Sequence, residues 1–318
     1  MMELNRRTWL AIAAGPALGL PWRSALADQM LKVLVGFPPG GAVDSAARIY
    51  AEASGGLGTV IVDNRAGASG NIAANLLVQS RPDGETVMFA PLNVYCISKA
   101  LYRRLAFDPQ RDFVPVAIVA AFPWGLAIHP SIPATTTADL VSWIKANPEK
   151  AQCGLVTVGS EGHLMAYSFA REAGIQLNFV PYKGGAPMAQ DLMAGHIPMV
   201  FDALPNLIQP HRAGKIRVLA VTSAQSAIQL PEVPTLASSG YASATGESWI
   251  GVAAKRGTPA KRIQAIASAF AVAANLPELR TKLIGAGLTV RAGGPAEMSA
   301  AMNADTTRYD LAPVSCSS

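Results

Sequence analysis

Segments typical of β-strands alternate with segments typical of α-helices along most of this chain. The strand-like segments are short, rich in valine, isoleucine and leucine, and bounded by turn residues. They cover residues 31–37, 59–63, 86–90, 114–119, 126–129, 155–158, 178–182, 199–202, 218–222 and 249–254. Helix-like segments lie at 44–54, 71–79, 163–173 and 259–275, and a further one ends near Gly195. The alternation predicts an α/β fold in which helices cover a parallel sheet.

The length of the chain predicts more than one structural unit. Its 318 residues, half of them apolar, exceed what one hydrophobic core usually serves, so we expect two lobes. We place the first part of lobe 1 at residues 28–124, lobe 2 at 125–222 and a return to lobe 1 at 223–318. The return is expected because a further strand and helix follow the second set of elements.

The N-terminus has the order of features found in a signal peptide. A basic stretch at 5–7 precedes an apolar run at 9–20, and small residues follow at 25–27. The apolar run is shorter than the roughly 20 residues that a spanning helix needs. We therefore expect export to the periplasm and cleavage near Ala27. The paired arginines are compatible with both the Sec and the twin-arginine route.

Charge and cysteine content exclude several classes of protein. The formal net charge is only +5, and no basic cluster indicates nucleic-acid binding. Cys96, Cys153 and Cys316 lack metal-site spacing. One disulfide is possible in an exported protein, although two buried small side chains and one free thiol fit better. The four histidines are scattered, so we predict no metal and no cofactor.

Four glycine-containing loops join a predicted strand to a predicted helix, at 37–44, 65–71, 159–163 and 182–186. In open α/β sheets, ligands lie beyond the carboxyl ends of the strands. Glycine lets the backbone approach a ligand, and helix N-termini favour anions. The alternative is that these glycines serve the turns, with Asp44 and Ser160 acting only as helix caps. Because two loops fall in each half, we favour an anion site in a cleft.

No motif for catalysis accompanies these loops. The sequence has neither a phosphate-binding loop nor a dinucleotide fingerprint. Ser160 is not in a nucleophile elbow, since Val158 stands where that motif needs glycine. We therefore predict a protein that is not an enzyme. The alternatives are an exported hydrolase or isomerase, and an interaction subunit that works without ligand.

The same loops carry a resemblance to a known family. The matching motifs are VGFPPGG at 35–41 with Asp44, VDNRAGASGN at 62–71, PDG at 82–84, GSEGHL at 159–164, VPYKGGA at 180–186, LAVT at 219–222 and VPTL at 233–236. Together they resemble the tripartite tricarboxylate transporter receptors, or Bug-type periplasmic solute-binding proteins. The resemblance runs from about residue 31 to 294.

The resemblance implies a type II periplasmic-binding-protein fold, with two α/β lobes, crossing hinge strands and a cleft between them. It also implies a small carboxylate ligand, and a membrane permease or a sensor kinase as partner; we expect a monomer. The implied ligand-binding residues are Phe37, Pro39, Gly40, Gly41, Asp44, Gly67, Ala68, Ser69, Gly70, Asn93, Gly159, Ser160, His163, Tyr182 and Asp202.

Two departures from the family limit what the resemblance implies. The family usually ends in a longer amphipathic helix, which leaves the last packing element of this chain in question. The segments around 91–93, 122–124 and 202–206 vary within the family, so the resemblance names no particular ligand.

Overall fold

The computed structural model describes residues 30–102, 104–156 and 158–310. The predicted signal peptide at 1–27 and Cys316 lie outside the described residues. The strands are β1 (Met30–Val35), β2 (Thr59–Asn64), β3 (Thr86–Pro91), β4 (Phe113–Ile128), β5 (Gln152–Leu155), β6 (Asn178–Pro181), β7 (Met199–Ala203), β8 (Arg217–Val221), β9 (Glu247–Lys255) and β10 (Thr289–Gly293).

The α-helices lie between these strands and after the last of them. They are α1 (Ala42–Ala53), α2 (Asn71–Gln79), α3 (Ser98–Leu101), α4 (Pro109–Asp112), α5 (Thr137–Ala146), α6 (Glu161–Ala173), α7 (Gly185–Ala194), α8 (Leu204–Arg212), α9 (Ala260–Ala274), α10 (Pro277–Gly285) and α11 (Pro295–Asp310). A π-helical turn, Asn93–Ile97, follows β3.

The strands join through β4 in the order β2-β1-β3-β9-β4-β7-β5-β6, and β8 and β10 also pair with β4. On one side, β1 is parallel to β2 and β3; on the other, β5 is parallel to β6 and β7. β4 and β9 run antiparallel to their neighbours. This arrangement confirms the predicted α/β fold with two lobes.

The central strands of both lobes are buried on both faces, which explains their nearly continuous apolar sequence. In β3, Val87 and Phe89 pack into one core of lobe 1, while Met88 packs into the core on the opposite face. In β7 of lobe 2, Phe201 and Val200 divide in the same way between two cores. Each lobe is therefore a sheet with a helical layer on both faces.

The strand β4 crosses from one lobe to the other. Its residues from Phe113 to Pro123 pair with β9, and from Trp124 to Ile128 it pairs with β7. The prediction of two strands separated at 122–124 is wrong. Pro123 stands opposite Glu247, the first residue of β9, and the end of a ladder tolerates a residue without an N–H.

The strand β5 also differs from the prediction. We expected it at 155–158, but it covers Gln152–Leu155. It contains Gly154, a residue type that weakens a strand prediction. A Cβ added at Gly154 would lie 3.1 Å from side-chain carbons of Ile197 and Val200, so the glycine permits close packing there. Val156 follows the strand, and Val158 is exposed.

The chain has a 16-residue helix, α11, where the resemblance left the last packing element in question. Met298, Met302 and Tyr309 of α11 are buried in the second core of lobe 1. The indole N–H of Trp249 in β9 donates a 2.8 Å hydrogen bond to Asp305 Oδ2. The helix is therefore an integral part of lobe 1.

Two of the three cysteines match their predicted environment. Cys96 and Cys153 are buried and unpaired. Burial raises the pKa of Cys153 to about 12 and that of Cys96 further still. Both thiols are therefore protonated, apolar packing groups at neutral pH.

Candidate functional site

A cavity of about 470 Å³ lies between the two lobes. From lobe 1 it is lined by Phe37, Pro38, Pro39, Gly40, Gly41, Ala42, Val43, Pro91 and Asn93. From β4 it is lined by Phe122 and Trp124, and from lobe 2 by Val156, Ser160, Gly184, Gly185, Ala186, Ala189, Asp202, Ala203, Pro205 and Asn206. Its volume suits a small organic molecule.

The cavity wall is mostly apolar and carries no cationic side chain among the described residues. Three aromatic rings belong to it, those of Phe37, Phe122 and Trp124. The polar side chains are those of Asn93, Ser160, Asp202 and Asn206. An anion in this cavity would therefore depend on backbone N–H groups and neutral donors.

Four helices begin at the cavity. The residues that precede α1, α6, α7 and α8 are Gly41, Ser160, Gly184 and Ala203, and all four line it. The first N–H groups of a helix lack partners within the helix, and the helix dipole is positive at this end. Helix α1 belongs to lobe 1, and α6, α7 and α8 belong to lobe 2, so positive helix ends reach the cavity from both lobes.

Asp44 organises the loop before α1 rather than facing the cavity. It is buried, and its Oδ2 accepts hydrogen bonds of 2.9 Å from Gly40 N–H and from Arg48 Nε. Asn64 Nδ2 donates to Asp44 Oδ1 at 2.8 Å and to the carbonyl of Phe37 at 3.1 Å. Burial alone would raise the pKa of Asp44, but these hydrogen bonds outweigh it and lower the pKa. The loop is held by an ionised carboxylate.

The loop before α2 lies behind the cavity wall. Gly67, Ala68, Ser69 and Gly70 all have positive φ, but none of them lines the cavity. The connection is indirect, because the cavity-lining Asn93 donates from Nδ2 to the carbonyl of Ser69 at 3.3 Å. The predicted ligand contact of this loop stays a prediction.

A close contact explains why this loop needs a glycine at its end. A Cβ on Gly36 would lie 2.5 Å from Gly70 Cα. A Cβ on Gly70 itself would lie 2.8 Å from Val94 Cγ2 and 3.1 Å from the ring of Phe37. Gly70 therefore permits packing behind Phe37, in addition to its positive φ.

The loop before α6 brings one of its three predicted residues to the cavity. Ser160 lines the cavity, and its Oγ accepts a 3.3 Å hydrogen bond from His163 N–H, which caps α6. Gly159 N–H donates to His163 Nδ1 at 2.8 Å. The ring of His163 packs edge-on against Phe179, and burial lowers its pKa. His163 is thus a neutral packing residue behind the wall.

Asp202 is a buried carboxyl group at the end of β7 that lines the cavity. Ala203 N–H donates to its Oδ1 at 2.8 Å, and Asn206 Nδ2 donates to its Oδ2 at 2.9 Å. Burial raises the pKa of Asp202 to about 7, although these two hydrogen bonds act in the opposite direction. The cavity therefore contains an acid that is partly protonated near neutral pH.

Tyr182 does not line the cavity. Its hydroxyl donates a 2.8 Å hydrogen bond to Asp191 Oδ2 in α7, and burial together with this partner raises its pKa to about 12. The two glycines that follow, Gly184 and Gly185, do line the cavity. Sequence reasoning marked this loop but selected Tyr182 from it.

Other lining residues lacked an individual signal in the sequence. Phe122 and Trp124 line the cavity because β4 crosses between the lobes there. Asn206 faces it because α8 begins directly after β7. The family resemblance marked the segments 122–124 and 202–206 as variable and gave a role only to Asp202 within them. Among the residues at 30–310 that the structure describes, no three metal-ligating side chains cluster.

The family of this chain follows from its sequence. Residues 47–309 match the model of the tripartite tricarboxylate transporter family receptor. The chain belongs to this receptor family. The resemblance stated from the motifs is thereby confirmed. The family consists of periplasmic solute-binding receptors, and no helix in the described part of this receptor is long and apolar enough to cross a membrane.

Individual relatives agree with this assignment. The receptor is 33% identical to the protein BugT of Bordetella pertussis over 239 residues, 73% of this chain and 72% of BugT. It matches Rpa4515 of R. palustris, solved with adipate, with 33% identity and a TM-score of 0.84, covering 88% of this chain and 95% of that one. It matches MatC of Rhodopseudomonas palustris, solved with bound malate, with 26% identity and a TM-score of 0.82, covering 88% and 97%.

Proposed function

We propose that this receptor captures a small carboxylate in the cavity between its lobes and catalyses nothing. The observation that carries the proposal is the start of four helices at one cavity without a cationic side chain. Such a cavity offers N–H donors and a favourable dipole to a carboxylate. The adipate and the malate bound to two relatives support the ligand class.

The cavity wall narrows the expected ligand further. Aromatic and apolar side chains cover most of it, so the body of the ligand should be aliphatic or aromatic. Asp202 offers a carboxyl group at the far wall. An ionised Asp202 suits a hydroxyl or an ammonium group on the ligand, and a protonated Asp202 suits a second carboxylate.

We assign direct ligand contact first to the predicted residues that line the cavity. These are Phe37, Pro39, Gly40, Gly41, Asn93, Ser160 and Asp202. Asp44, Gly70, Gly159 and His163 support the loops that carry them. This division differs from the sequence-based list, which gave all of them the same role.

The arrangement of Ser160 and His163 argues against hydrolysis. A serine nucleophile needs a base that accepts the proton of its hydroxyl. Here Ser160 Oγ accepts from the N–H of His163, and His163 Nδ1 already accepts from Gly159 N–H. No base at hydrogen-bond distance activates Ser160 among the described residues, so we propose a receptor without catalytic activity.

The finer assignments are part of the same proposal. We propose cleavage of the exported chain near Ala27, and lobes at 28–124 with 223–318 and at 125–222. We propose a monomer that delivers its ligand to a tripartite tricarboxylate-type permease. A sensor kinase is the alternative partner, because a closed receptor can report ligand as well as deliver it.

A thermal-shift screen tests the ligand class. Ligand that co-purifies with the protein is removed first, by unfolding, dialysis and refolding. Mono-, di- and tricarboxylates, amino acids and aromatic acids are then added, because a ligand of the native state raises the melting temperature by mass action. We expect a shift of several degrees with one class of carboxylate. No shift across the panel would contradict the proposal.

A further inference from the structure

Glu161 is a buried acid that the capture of a ligand does not itself require. It is the first residue of α6 and is only 1% exposed. It directly follows Ser160, which lines the cavity. Sequence reasoning gave it no role. A carboxyl group at this depth costs free energy in its charged form unless a cation or several donors compensate it.

The groups that face Glu161 come from three other elements. They are Trp124 on the crossing strand β4, Ser248 on β9, and Asp305 with Tyr309 on α11. Burial is the largest influence on Glu161 and raises its pKa to about 7. The Ser248 hydroxyl, the Trp124 indole and the Tyr309 hydroxyl lower the pKa, while the charge of Asp305 raises it.

Cations do not compensate this acid within the described structure. No lysine, arginine or histidine is among the groups that shift the pKa of Glu161. The one basic residue of α11 is Arg308, whose guanidinium lies 5.5 Å from the ring centroid of Tyr309. Glu161 instead raises the pKa of Cys96 and of Tyr309, because its charge disfavours theirs. The surroundings therefore favour a neutral Glu161.

The polar groups around Glu161 are also incompletely satisfied. Glu161 Oε2, Trp124 Nε1 and Tyr309 Oη are buried and have no hydrogen-bond partner at bonding geometry. The indole and the hydroxyl face the carboxyl group without completing bonds that would stabilise its charge. A charged Glu161 would thus remain undercompensated, whereas a protonated one is tolerated.

This acid lies between the lobes. Its helix, α6, packs through Met165 and Phe169 into a core of lobe 2. Tyr309 packs into a core of lobe 1. The lobes also touch on the other side of the cavity, where a Cβ on Gly184 would lie 3.3 Å from Pro38 Cγ. The burial of Glu161 therefore depends on contact between the lobes.

We propose that Glu161 takes up a proton from water when the lobes close, and that it thereby makes ligand capture tighter in acid. In an open receptor α6 moves away from α11, and water reaches the carboxylate. Closure removes that water, and the carboxylate binds a proton to become a neutral acid. The neutral acid then faces the indole of Trp124, whose ring also lines the cavity. This inference rests on the proposed capture of ligand by closure.

Linkage gives the sign of the effect. A group whose pKa is higher in the closed form binds more protons there, so closure weakens as the pH rises. The window runs from the ordinary carboxyl pKa of about 4.3 to about 7 in the closed form. The apparent affinity should fall by up to about tenfold per pH unit within it. Asp202 titrates in the same range, so the comparison must keep Asp202 and change only Glu161.

A distance between the lobes tests the proposal without a ligand. Spin labels are placed at Ser142→Cys on α5 of lobe 2 and at Ala265→Cys on α9 of lobe 1, both exposed. Cys316→Ser removes the third cysteine, which lies outside the described residues. Double electron–electron resonance is measured on refolded protein at pH 5 and pH 8. We expect a larger fraction of the short distance at pH 5 in the wild type, and in Glu161→Gln a large fraction that changes less between the two pH values.

A second variant covers the case in which Glu161→Gln does not fold. Ser248→Ala removes a hydroxyl that favours the charged acid. It should move the midpoint of the distance change to higher pH. Equal distances in the wild type at both pH values would overturn the proposal, and so would a pH response in Glu161→Gln as large as that of the wild type.

Titration with adipate and malate at pH 5, 6, 7 and 8 separates this proposal from the proposed function. We expect the affinity of whichever acid binds to fall less steeply with pH in Glu161→Gln than in the wild type. Identical slopes would overturn the role of Glu161 and leave the receptor intact. If neither these acids nor the wider panel bound, the proposed receptor function would be contradicted. If the distance between the lobes still responded to pH only in the wild type, Glu161 would remain supported as the pH-sensitive contact.

Discussion

The backbone N–H of Trp124 donates a 2.9 Å hydrogen bond to the hydroxyl oxygen of Thr222. The two residues lie where the chain crosses between the lobes, and Thr222 N–H donates back to the carbonyl of Trp124 at 2.9 Å. The same hydroxyl donates to the carbonyl of Gly246 at 2.6 Å, one residue before β9. One buried threonine therefore holds both crossing segments at the edge of the cavity.

Replacing Thr222 with valine keeps the shape of the side chain and removes this connection. The N–H of Trp124 and the carbonyl of Gly246 would lose their partner in a buried place. We expect the free energy of unfolding to fall by about 1–3 kcal/mol, measured by urea denaturation. Thr281→Val on the exposed face of α10 is the matched control, with an expected change within about 0.5 kcal/mol. Equal effects of the two variants would contradict the role of Thr222.

A methyl group on Gly185 should block the cavity where Asp202 and Asn206 meet. The added Cβ would lie 2.6 Å from Asn206 Nδ2 and 3.0 Å from Asp202 Oδ2. We expect Gly185→Ala to weaken carboxylate binding at least tenfold in calorimetric titration, because it displaces two polar groups of the far wall.

The control for this change is Gly55→Ala, since a Cβ there meets no atom within 4 Å. It should leave both binding and melting temperature unchanged. If Gly185→Ala bound ligand as well as Gly55→Ala does, the far wall of the cavity would not be part of the site.

Ser160→Ala separates capping from ligand contact. Loss of the cap on α6 should lower the free energy of unfolding by about 1 kcal/mol. Loss of a hydrogen bond to a charged ligand group should weaken binding by a further ~1.5–3 kcal/mol. Ser160→Gly is the control, because glycine at this position preserves most of the capping energy. Normal binding by the alanine variant, together with lower stability, would restrict Ser160 to the cap.

The stability of the receptor should decrease as the pH rises from about 4 to about 7. The pKa of Asp202 is about 7 in the folded state, above its ordinary 3.8, because the carboxyl group is buried. The folded state thus binds more protons than the unfolded state in this window, and the stability present below pH 4 is lost as the pH approaches 7. We expect Asp202 to contribute a loss on the order of 2 kcal/mol between pH 5 and pH 8.

Urea denaturation at the two pH values measures this loss in the wild type and in Asp202→Asn. The asparagine variant should show a shallower pH dependence. Because Glu161 titrates in the same window, the double variant Asp202→Asn with Glu161→Gln should be shallower still. A wild-type stability that rises from pH 5 to pH 8 would contradict the assignment of both acids.

The sequence predicted the strands that are buried on both faces, because their apolar residues run without interruption. The prediction failed where the backbone conformation depends on packing against residues that are far away in the sequence. Because of Pro123, the sequence did not indicate that β4 is one continuous strand. The residue of β9 that stands opposite this proline is 124 residues away in sequence. Helix α8 went unpredicted because it contains Pro210.

The residues of the candidate site likewise divide into those that the sequence indicated and those that it did not. Glycine patterns before α1 indicated Gly40 and Gly41, which line the cavity. Trp124 and Glu161 carry no local signal, because their positions depend on the crossing strands and on α11. Burial of an acid by a distant helix is a tertiary property, and a local pattern of residues does not encode it.

Calorimetric titration of the refolded receptor with a carboxylate and with its primary amide tests the central claim most directly. The carboxylate is the one with the largest shift in the thermal screen, and the amide has nearly the same size without the charge. The account predicts one ligand per chain and an affinity at least tenfold lower for the amide, since helix N-termini favour the anion. Equal affinities for acid and amide, or no binding by any carboxylate of the panel, would contradict it.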